Sequence, residues 1–471
     1  MNKFVPSLLS IALCGALSAA LPSAFAAETG DGAAGVATTA EAPIATTVQL
    51  APVRSLKNAP AETWPAWKQF RDSALDGGRV IDRSDERLIT TSEGQSYGMF
   101  FALVANDKKS FDAIWQWTVS NLCAGDCGKT RMAWLWGASE SVKAAKNPVK
   151  WGVLDSNNAT DADLWIAYSL LEAADRWEEP AYKDAALALL NRVKQDVRIV
   201  RGLGAVLLPA NVGFEKNGDV VLNPSYYPLS VLKRLEAVDP LWREVRWGSM
   251  RALVRSAESG LSPDWVAFGE RWGTRNRDES PEGSWNAIRV YLWAGMMPQD
   301  DPDAMRLREI LDPMVEVTKA RFMTPVSTDT ANFTVSTKGP FAFGACLLPW
   351  VKDDRVGSYI RTGLHTMPLT GEDYYRSVLA LFGMGFDEGR FAFSHEGRLI
   401  IKGTKVFPCR PISIRLLPRG GELPLPAHKR ERQKKERKRP CFSPNTQKRR
   451  TLRWQSPLWL FQRKVKHPIN P

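Results

Sequence analysis

Between residues 64 and 399, apolar residues recur at spacings of three and four positions, with polar, Gly-containing or Pro-containing breaks between the runs. This spacing is typical of helices that bury one face. It predicts eleven helices, over residues 97–106, 110–122, 161–177, 181–197, 228–238, 242–257, 285–297, 304–322, 341–350, 355–364 and 373–386. Alternation with a period of two is nearly absent, and residues 201–214 are the best candidate for an extended segment. We therefore expect an all-α domain of helical hairpins around one large core.

Four polar clusters lie where predicted helices begin. They are Ser92 with Gln95 around Glu93, Thr160 with Asp163 around Asp161, Ser284 before Asn286, and the proline-containing segment 223–228. The first two match the capping box, which would make Glu93 the first helical residue and put Asp161 in the first turn of its helix. Ser284 is a candidate cap for the helix that follows it. If the inner helices of the domain run parallel, all four clusters open at one end, in a cleft lined by carboxylates, amides and tyrosines.

The net charge of +12 belongs to one end of the 471-residue chain. Residues 401–471 contain 20 Lys and Arg against 3 Asp and Glu, whereas residues 1–400 contain 43 against 48. The main body is therefore mildly acidic, and we expect no nucleic-acid partner for it. With 44% hydrophobic and 24% charged residues, the composition excludes a disordered, collagenous or polytopic membrane protein.

The N-terminus has the pattern of a secretory signal peptide over residues 1–26. Lys3 precedes an apolar run over residues 8–21, and small residues flank Phe25. We expect cleavage after residue 26, a periplasmic or secreted location and no membrane span in the mature chain. Residues 27–61, rich in Ala, Thr and Pro, are expected to form a disordered linker.

The C-terminal tail, expected to comprise residues 399–471, lacks apolar periodicity and is dense in Lys and Arg. Three interpretations are open: a segment that binds anionic polymers, a solvated disordered segment without a role, and a change of reading frame that replaced the native C-terminus. We favour the last.

Cys123 and Cys127 flank Ala-Gly-Asp, a turn-like loop, and in an exported protein they are candidates for a local disulfide. No His lies near this pair, and the four His of the chain are at positions 365, 395, 428 and 467. A zinc centre of several His is therefore excluded, and we expect no metal and no cofactor.

Several strings in fixed order carry a resemblance to a known family. They are residues 91–99 (TSEGQSYGM), 159–177 (ATDADLWIAYSLLEAADRW), 223–226 (NPSY), 262–265 (SPDW), 287–289 (AIR) and 295–298 (GMMP). Together they resemble glycoside hydrolase family 8 over residues 62–398, and within it the periplasmic endoglucanases that accompany bacterial cellulose synthase. The resemblance implies an (α/α)6 barrel that hydrolyses cellulose-like β-1,4-glucan with inversion. It implies a glucan chain as substrate, the cellulose synthase machinery as a candidate partner, and a monomer.

The resemblance also implies roles for single residues. Glu93 matches the general acid, and Asp161 matches the acid that holds the sugar at the cleavage site. Tyr226 and Arg289 match residues that orient sugar, water or base, and Trp134 matches a residue that stacks on sugar. An ordinary alternative for both carboxylates is structural, because acids favour the first turn of a helix.

One position departs from the family pattern. Where this branch has an Asp before Ala-Ile-Arg as the base, the chain has Asn286, and a neutral amide can hold a water molecule but cannot take its proton. A general base contributes a factor of about 10² to 10⁴, so we expect slow hydrolysis unless Asp278, Glu279 or Glu282 replaces it. The alternatives are another family 8 specificity, such as chitosanase, xylanase or mixed-linkage glucanase, and a catalytically weak glucan-binding protein.

Overall fold

A computed structural model describes residues 63–216, 218–269, 275–276, 281–351 and 354–401. Within these residues it contains twelve α-helices. They are α1 (Pro65–Ala74), α2 (Ser92–Val104), α3 (Lys108–Leu122), α4 (Thr160–Trp177), α5 (Pro180–Val193), α6 (Leu229–Glu236), α7 (Leu241–Ser256), α8 (Ile288–Met296), α9 (Pro302–Arg321), α10 (Phe341–Val351), α11 (Arg355–Thr366) and α12 (Tyr374–Asp387). The eleven predicted helices are confirmed, but α2 starts five residues before its expected range, α8 starts three residues after it, and α5 ends four residues before it. Helix α1 was not predicted. The expected signal peptide and linker lie outside the described residues.

The helices alternate in burial along the chain. The even-numbered helices bury most of their residues, whereas the odd-numbered helices bury one face, as in α3, where Phe111, Ile114 and Thr118 point inward. This alternation is that of six hairpins with an inner and an outer ring. Phe382 of α12 closes the inner ring by packing on Tyr97 of α2, with ring centroids 5.0 Å apart. The expected (α/α)6 barrel is confirmed.

Short antiparallel strands fill the connections between helices. Among the described residues they are β1 (Leu75–Asp76), β2 (Arg79–Val80), β3 (Thr90–Thr91), β4 (Leu135–Ala138), β5 (Trp151–Asp155), β6 (Val197–Val200), β7 (Gly204–Leu207), β8 (Glu215–Lys216), β9 (Asp219–Leu222), β10 (Val266–Gly269), β11 (Arg275–Asn276), β12 (Glu282–Gly283), β13 (Thr328–Asp329), β14 (Thr334–Val335), β15 (Phe391–Phe393) and β16 (Leu399–Ile401). The larger sheets have the orders β3-β4-β5, β11-β10-β9-β8 and β12-β13-β14. Of these strands, only β7 lies in the predicted extended segment 201–214. The others were not predicted, because strands of two to five residues are too short to show an alternation with a period of two.

The start of α2 differs from the predicted capping box. Thr91 is the N-cap, and its hydroxyl accepts the backbone N–H of Gly94 at 3.0 Å. Ser92 is therefore the first helical residue and Glu93 the second. Gln95 does not reach back to the cap, because its buried amide donates to Thr118 Oγ1 at 2.9 Å and serves the packing of α3 on α2.

The capping box predicted at the start of α4 is also wrong. The N-cap is Ala159, which has no side-chain group to cap with, and the Thr160 hydroxyl donates to the carbonyl of Leu208 at 2.7 Å. Asp163 instead accepts a hydrogen bond from the Asn158 amide at 3.1 Å. Tertiary contacts thus take the side chains that a local box would use.

The folded domain extends beyond the boundary expected after residue 398. β16 pairs with β15, and Leu399 and Ile401 are buried. The backbone N–H of Leu399 donates to Glu172 Oε2 at 3.0 Å, inside the barrel wall. The described fold thus continues through residue 401, three residues past the expected boundary, and the rest of the predicted tail lies outside the described residues.

The expected disulfide between Cys123 and Cys127 is present at the end of α3. None of the described helices is long and apolar enough to cross a membrane.

Candidate active site

Glu93 lies in the first turn of α2, at the end of the barrel where the inner helices begin. Its Oε1 atom accepts a hydrogen bond from Tyr374 Oη at 3.2 Å, and its Oε2 atom accepts one from Arg289 Nη1. The side chain keeps 20% of its surface exposed. A carboxyl group held on both oxygens and still reachable from the cleft can meet a bound substrate.

Arg289, at the start of α8, joins the polar groups of four residues. Its Nη1 atom donates to Glu93, to Tyr97 Oη at 3.0 Å and to Asp161 Oδ2 at 3.2 Å, and its Nη2 atom donates to Asn286 Oδ1 at 2.9 Å. Burial acts to lower the pKa of this guanidinium, but the surrounding tyrosines and carboxylates outweigh it, so the pKa is raised. The group therefore stays charged and holds both carboxylates at one point.

Asp161 is almost fully buried in the first turn of α4. Its Oδ1 atom accepts the N–H of Ala162 at 2.8 Å, and its Oδ2 atom faces Arg289. Burial raises the pKa of Asp161 to about 7, with Glu93 adding to the shift and Arg289 opposing it. Burial thus favours the neutral form of this carboxyl group, and Arg289 favours its charged form.

Asn286 lies two residues before α8, in a turn that Asp264 organises. Asp264 Oδ1 accepts three backbone N–H groups, from Ser284 at 2.8 Å, Asn286 at 3.0 Å and Ala287 at 2.7 Å. The prediction that Ser284 caps this helix is therefore wrong, since its hydroxyl donates to the carbonyl of Val326. Burial raises the pKa of Asp264. Sequence reasoning missed this residue, although the SPDW string contains it.

The orientation of the Asn286 amide follows from its neighbours. Asn286 Oδ1 accepts from Arg289 Nη2 at 2.9 Å and from Asn223 Nδ2 at 3.1 Å. The Asn223 amide is itself fixed, because its Oδ1 atom accepts the N–H and the hydroxyl of Ser225 at 3.0 and 2.7 Å. Both neighbours are donors, so the Nδ2 group of Asn286 points away from them. The Nδ2 group is thus left to a partner other than Arg289 and Asn223.

Aromatic side chains surround these polar groups. The rings of Tyr226 and Tyr375 each lie 5.8 Å from the Arg289 guanidinium carbon. Trp265 contacts Tyr226 at 6.2 Å and stacks on Phe214 at 5.6 Å. Aromatic faces of this kind match the apolar C–H faces of sugar rings.

The structure brings together Glu93, Asp161, Tyr226, Asn286 and Arg289, as the sequence predicted. Trp134 lies beside them in the backbone, because its carbonyl accepts the N–H of Ser92 at 2.9 Å. Asn223, which belongs to the same group, lies in the predicted cleft segment 223–228. Tyr97, Asp264, Tyr374 and Tyr375 also belong to it and were not predicted as site residues. Tyr374 and Tyr375 lie at the start of the predicted helix 373–386, and this position is the sequence feature that could have indicated them.

The three candidate replacement bases fall in two classes. Asp278 and Glu279 lie outside the described residues. Glu282 is exposed in β12, where its carbonyl accepts the N–H of Asp264 at 2.8 Å. Its backbone is therefore adjacent to the turn that carries Asn286.

Residues 41–389 match the family described as Glycosyl hydrolases family 8. An endoglucanase of Escherichia coli (strain K12) is 42% identical over 341 residues, which are 72% of this chain and 91% of that protein. The crystal structure of an endo-1,4-D-glucanase from Vibrio fischeri ES114 is 39% identical, covers 72% of this chain and 99% of its own, and superposes with a TM-score of 0.68. An endo-β-1,4-glucanase from Acetobacter xylinum is 30% identical, covers 68% and 95%, and has a TM-score of 0.56. With the barrel and its polar cleft, these matches establish that the chain belongs to glycosyl hydrolases family 8.

Proposed function

We propose that this chain is an endo-β-1,4-glucanase that hydrolyses cellulose-like β-glucan. The proposal is supported by the names of relatives that match it over about seven tenths of its length. The observation that carries it in the structure is the group of Glu93, Asp161 and Asn286 around the single guanidinium of Arg289. This group combines the partly exposed carboxyl group of Glu93, the buried carboxyl group of Asp161 and the amide of Asn286, which we propose binds water.

In the proposed mechanism, Glu93 donates its proton to the glycosidic oxygen as the bond to the anomeric carbon breaks. Asp161 accepts a hydrogen bond from a sugar hydroxyl and stabilises the positive charge that develops on the sugar ring. A water molecule held beside Asn286 attacks the opposite face, so that the anomeric configuration inverts. Tyr226 supports the sugar ring.

The amide of Asn286 orients the attacking water but does not remove its proton. We therefore expect the rate to be limited by this step unless one of Asp278, Glu279 and Glu282 accepts the proton. A glucan-binding protein with weak turnover is the limiting case of this behaviour.

We further propose that the enzyme works outside the cytoplasm, alongside bacterial cellulose synthesis. The support for this is the signal-peptide pattern of residues 1–26 and the strings shared with the endoglucanases of that branch. Glucan chains leaving a synthase would then be the substrate.

The test is the release of reducing ends from carboxymethyl cellulose by the purified protein, beside chitosan and xylan as competing substrates. Glu93→Gln keeps the shape of the side chain but has no proton to donate, and should lower kcat by at least about 10²-fold while cello-oligosaccharide binding is retained. Proton NMR of the first product should show the α-anomer. Preferred cleavage of chitosan or xylan, or retained turnover in Glu93→Gln, would reject the proposed substrate or the proposed acid.

A further inference from the structure

Three tryptophan rings pack together where α3 meets the sheet of β3, β4 and β5, and one of them is exposed. Trp136 and Trp151 stack with ring centroids 5.5 Å apart and an angle of 24° between their planes. Trp117 contacts Trp136 edge-on at 5.2 Å, and the Arg79 guanidinium carbon lies 4.4 Å from the centre of the Trp136 ring. We call Arg79, Trp117, Trp136 and Trp151 the tryptophan cluster.

Trp151 is the member of the cluster that faces outward. It keeps 44% of its surface exposed, and Val153 on the same strand keeps 45%. The stacking on Trp136 and the Arg79 guanidinium carbon, 5.0 Å from its centroid, hold the indole in one place. A large ring that is both exposed and fixed costs little conformational entropy when a ligand binds to it.

The tryptophan cluster is continuous with the active site through the backbone. Thr90 of β3 pairs with Trp136 of β4 and lies three residues before Glu93. Trp134 immediately precedes β4, and its carbonyl accepts the N–H of Ser92 at 2.9 Å. A register shift between residues 135 and 136 marks a bulge, a feature that re-aims side chains next to active sites. A chain that leaves the cleft past Trp134 would run toward the cluster.

We propose that the tryptophan cluster is an outer binding platform for the β-1,4-glucan chain as it extends from the cleft. The inference rests on the proposed function, because it takes the same polymer as its ligand. Each glucose ring presents an apolar face of C–H bonds that stacks on the indole of Trp151. Since this contact lies away from the bond that is cleaved, it strengthens ground-state and transition-state binding alike, and it acts on KM and not on kcat.

The test compares Trp151→Ala with Trp247→Ala, a matched control whose ring is 43% exposed on the outer helix α7. Both changes are made in the Glu93→Gln protein, and the affinities for cellotriose and cellohexaose are measured by calorimetry. Trp151→Ala should weaken cellohexaose binding about tenfold and change cellotriose binding less than about twofold, and Trp247→Ala should change neither. Trp151→Phe keeps an aromatic face and should recover most of the loss.

The outcomes separate this inference from the proposed function. Unchanged cellohexaose affinity in Trp151→Ala, an equal loss for both ligands, or an equal loss in Trp247→Ala would overturn the platform and leave the proposed function intact. If Trp151→Ala does not fold, Trp151→Gln takes its place with the same expectations. A Glu93→Gln protein that binds no cello-oligosaccharide would overturn both proposals.

Discussion

Replacing Asn286 by Asp should raise the rate of glucan hydrolysis. The oxygen of this amide accepts from Arg289 and Asn223 at 2.9 and 3.1 Å, and its N–H groups face the other way. An Asp of the same shape keeps both hydrogen bonds on one oxygen and presents the second oxygen where the N–H groups now lie. That oxygen is an acceptor, as a base for water must be.

The size of the effect follows from what changes and what stays. A positioned general base contributes a factor of about 10² to 10⁴. Because Arg289 and Asn223 already hold the first oxygen, the new carboxylate needs little reorganisation. It would, however, lie near three other carboxyl groups, those of Glu93, Asp161 and Asp264, and like charges hinder ionisation. We therefore expect a gain in kcat near the lower end of that range, about 10²-fold.

The assay is the steady-state hydrolysis of cellopentaose by the wild-type protein, Asn286→Asp and the control Asn223→Asp. The control adds the same charge to the neighbouring side chain, but it replaces the donor that faces Asn286 Oδ1 and adds no acceptor toward the water. Its rate should not rise. An equal gain in both variants would show that charge alone is responsible.

The reasoning would be refuted by an Asn286→Asp protein that binds cello-oligosaccharides normally but turns over no faster. In that event a different carboxylate already serves as base. Changing Asp278, Glu279 and Glu282 to the corresponding amides, one at a time, should then abolish turnover at one of them. If none of the three has an effect, a base-assisted mechanism is wrong for this chain.

Two further predictions concern stability. Burial raises the pKa of Asp163 to about 8, so unfolding releases a proton between about pH 4 and pH 8, and the free energy of unfolding falls as the pH rises through this window. Asp163→Asn should remove up to about 5 kcal/mol of that loss. Its Tm should therefore exceed that of the wild type at pH 8.5 but not at pH 4, and exposed Asp184→Asn is the control. A chain ending at residue 401 should melt like the full-length protein, whereas one ending at residue 398 should melt several degrees lower, because it loses the buried Leu399 and its hydrogen bond to Glu172. A Tm independent of pH in wild type, or equal Tm values for the two truncated chains, would contradict the respective argument.

The helices of this barrel are predictable from sequence because their buried residues recur at the helical period. In α3 the inward residues Phe111, Ile114 and Thr118 keep the helical period. The strands are not predictable in the same way. They are two to five residues long, and what defines them is pairing with segments elsewhere in the chain.

The capping predictions failed for a physical reason that can be seen at Gln95. A local box assumes that a polar side chain has nothing better to bind than the backbone one turn away. In the folded protein Gln95 is fully buried, and leaving its amide unpaired there would cost more than leaving a helix end without a box. Its partner, Thr118, is 23 residues away.

The residues of the candidate site also differ in how far the sequence predicts them. Glu93, Asp161 and Arg289 were predicted because each lies in a string of consecutive residues that resembles the family. Asp264 was not predicted as a site residue, because its hydrogen bonds to the backbone of residues 284, 286 and 287 have no signature in the sequence around it. The role of such a residue can be recognised only from its contacts in the folded structure.

The arrangement around Arg289 is compatible with an amide at position 286. One guanidinium contacts the carboxyl groups of Glu93 and Asp161, and burial raises the pKa of Asp161, so a further negative charge beside them would be costly. Asn286 supplies the same acceptor to Arg289 as an Asp would, without a further charge. On the proposed mechanism, an amide at this position therefore keeps the hydrogen bonds to Arg289 and Asn223 and lacks only the group that would take the proton. Fold and substrate binding should then persist where turnover is reduced, because the two depend on different atoms of one side chain.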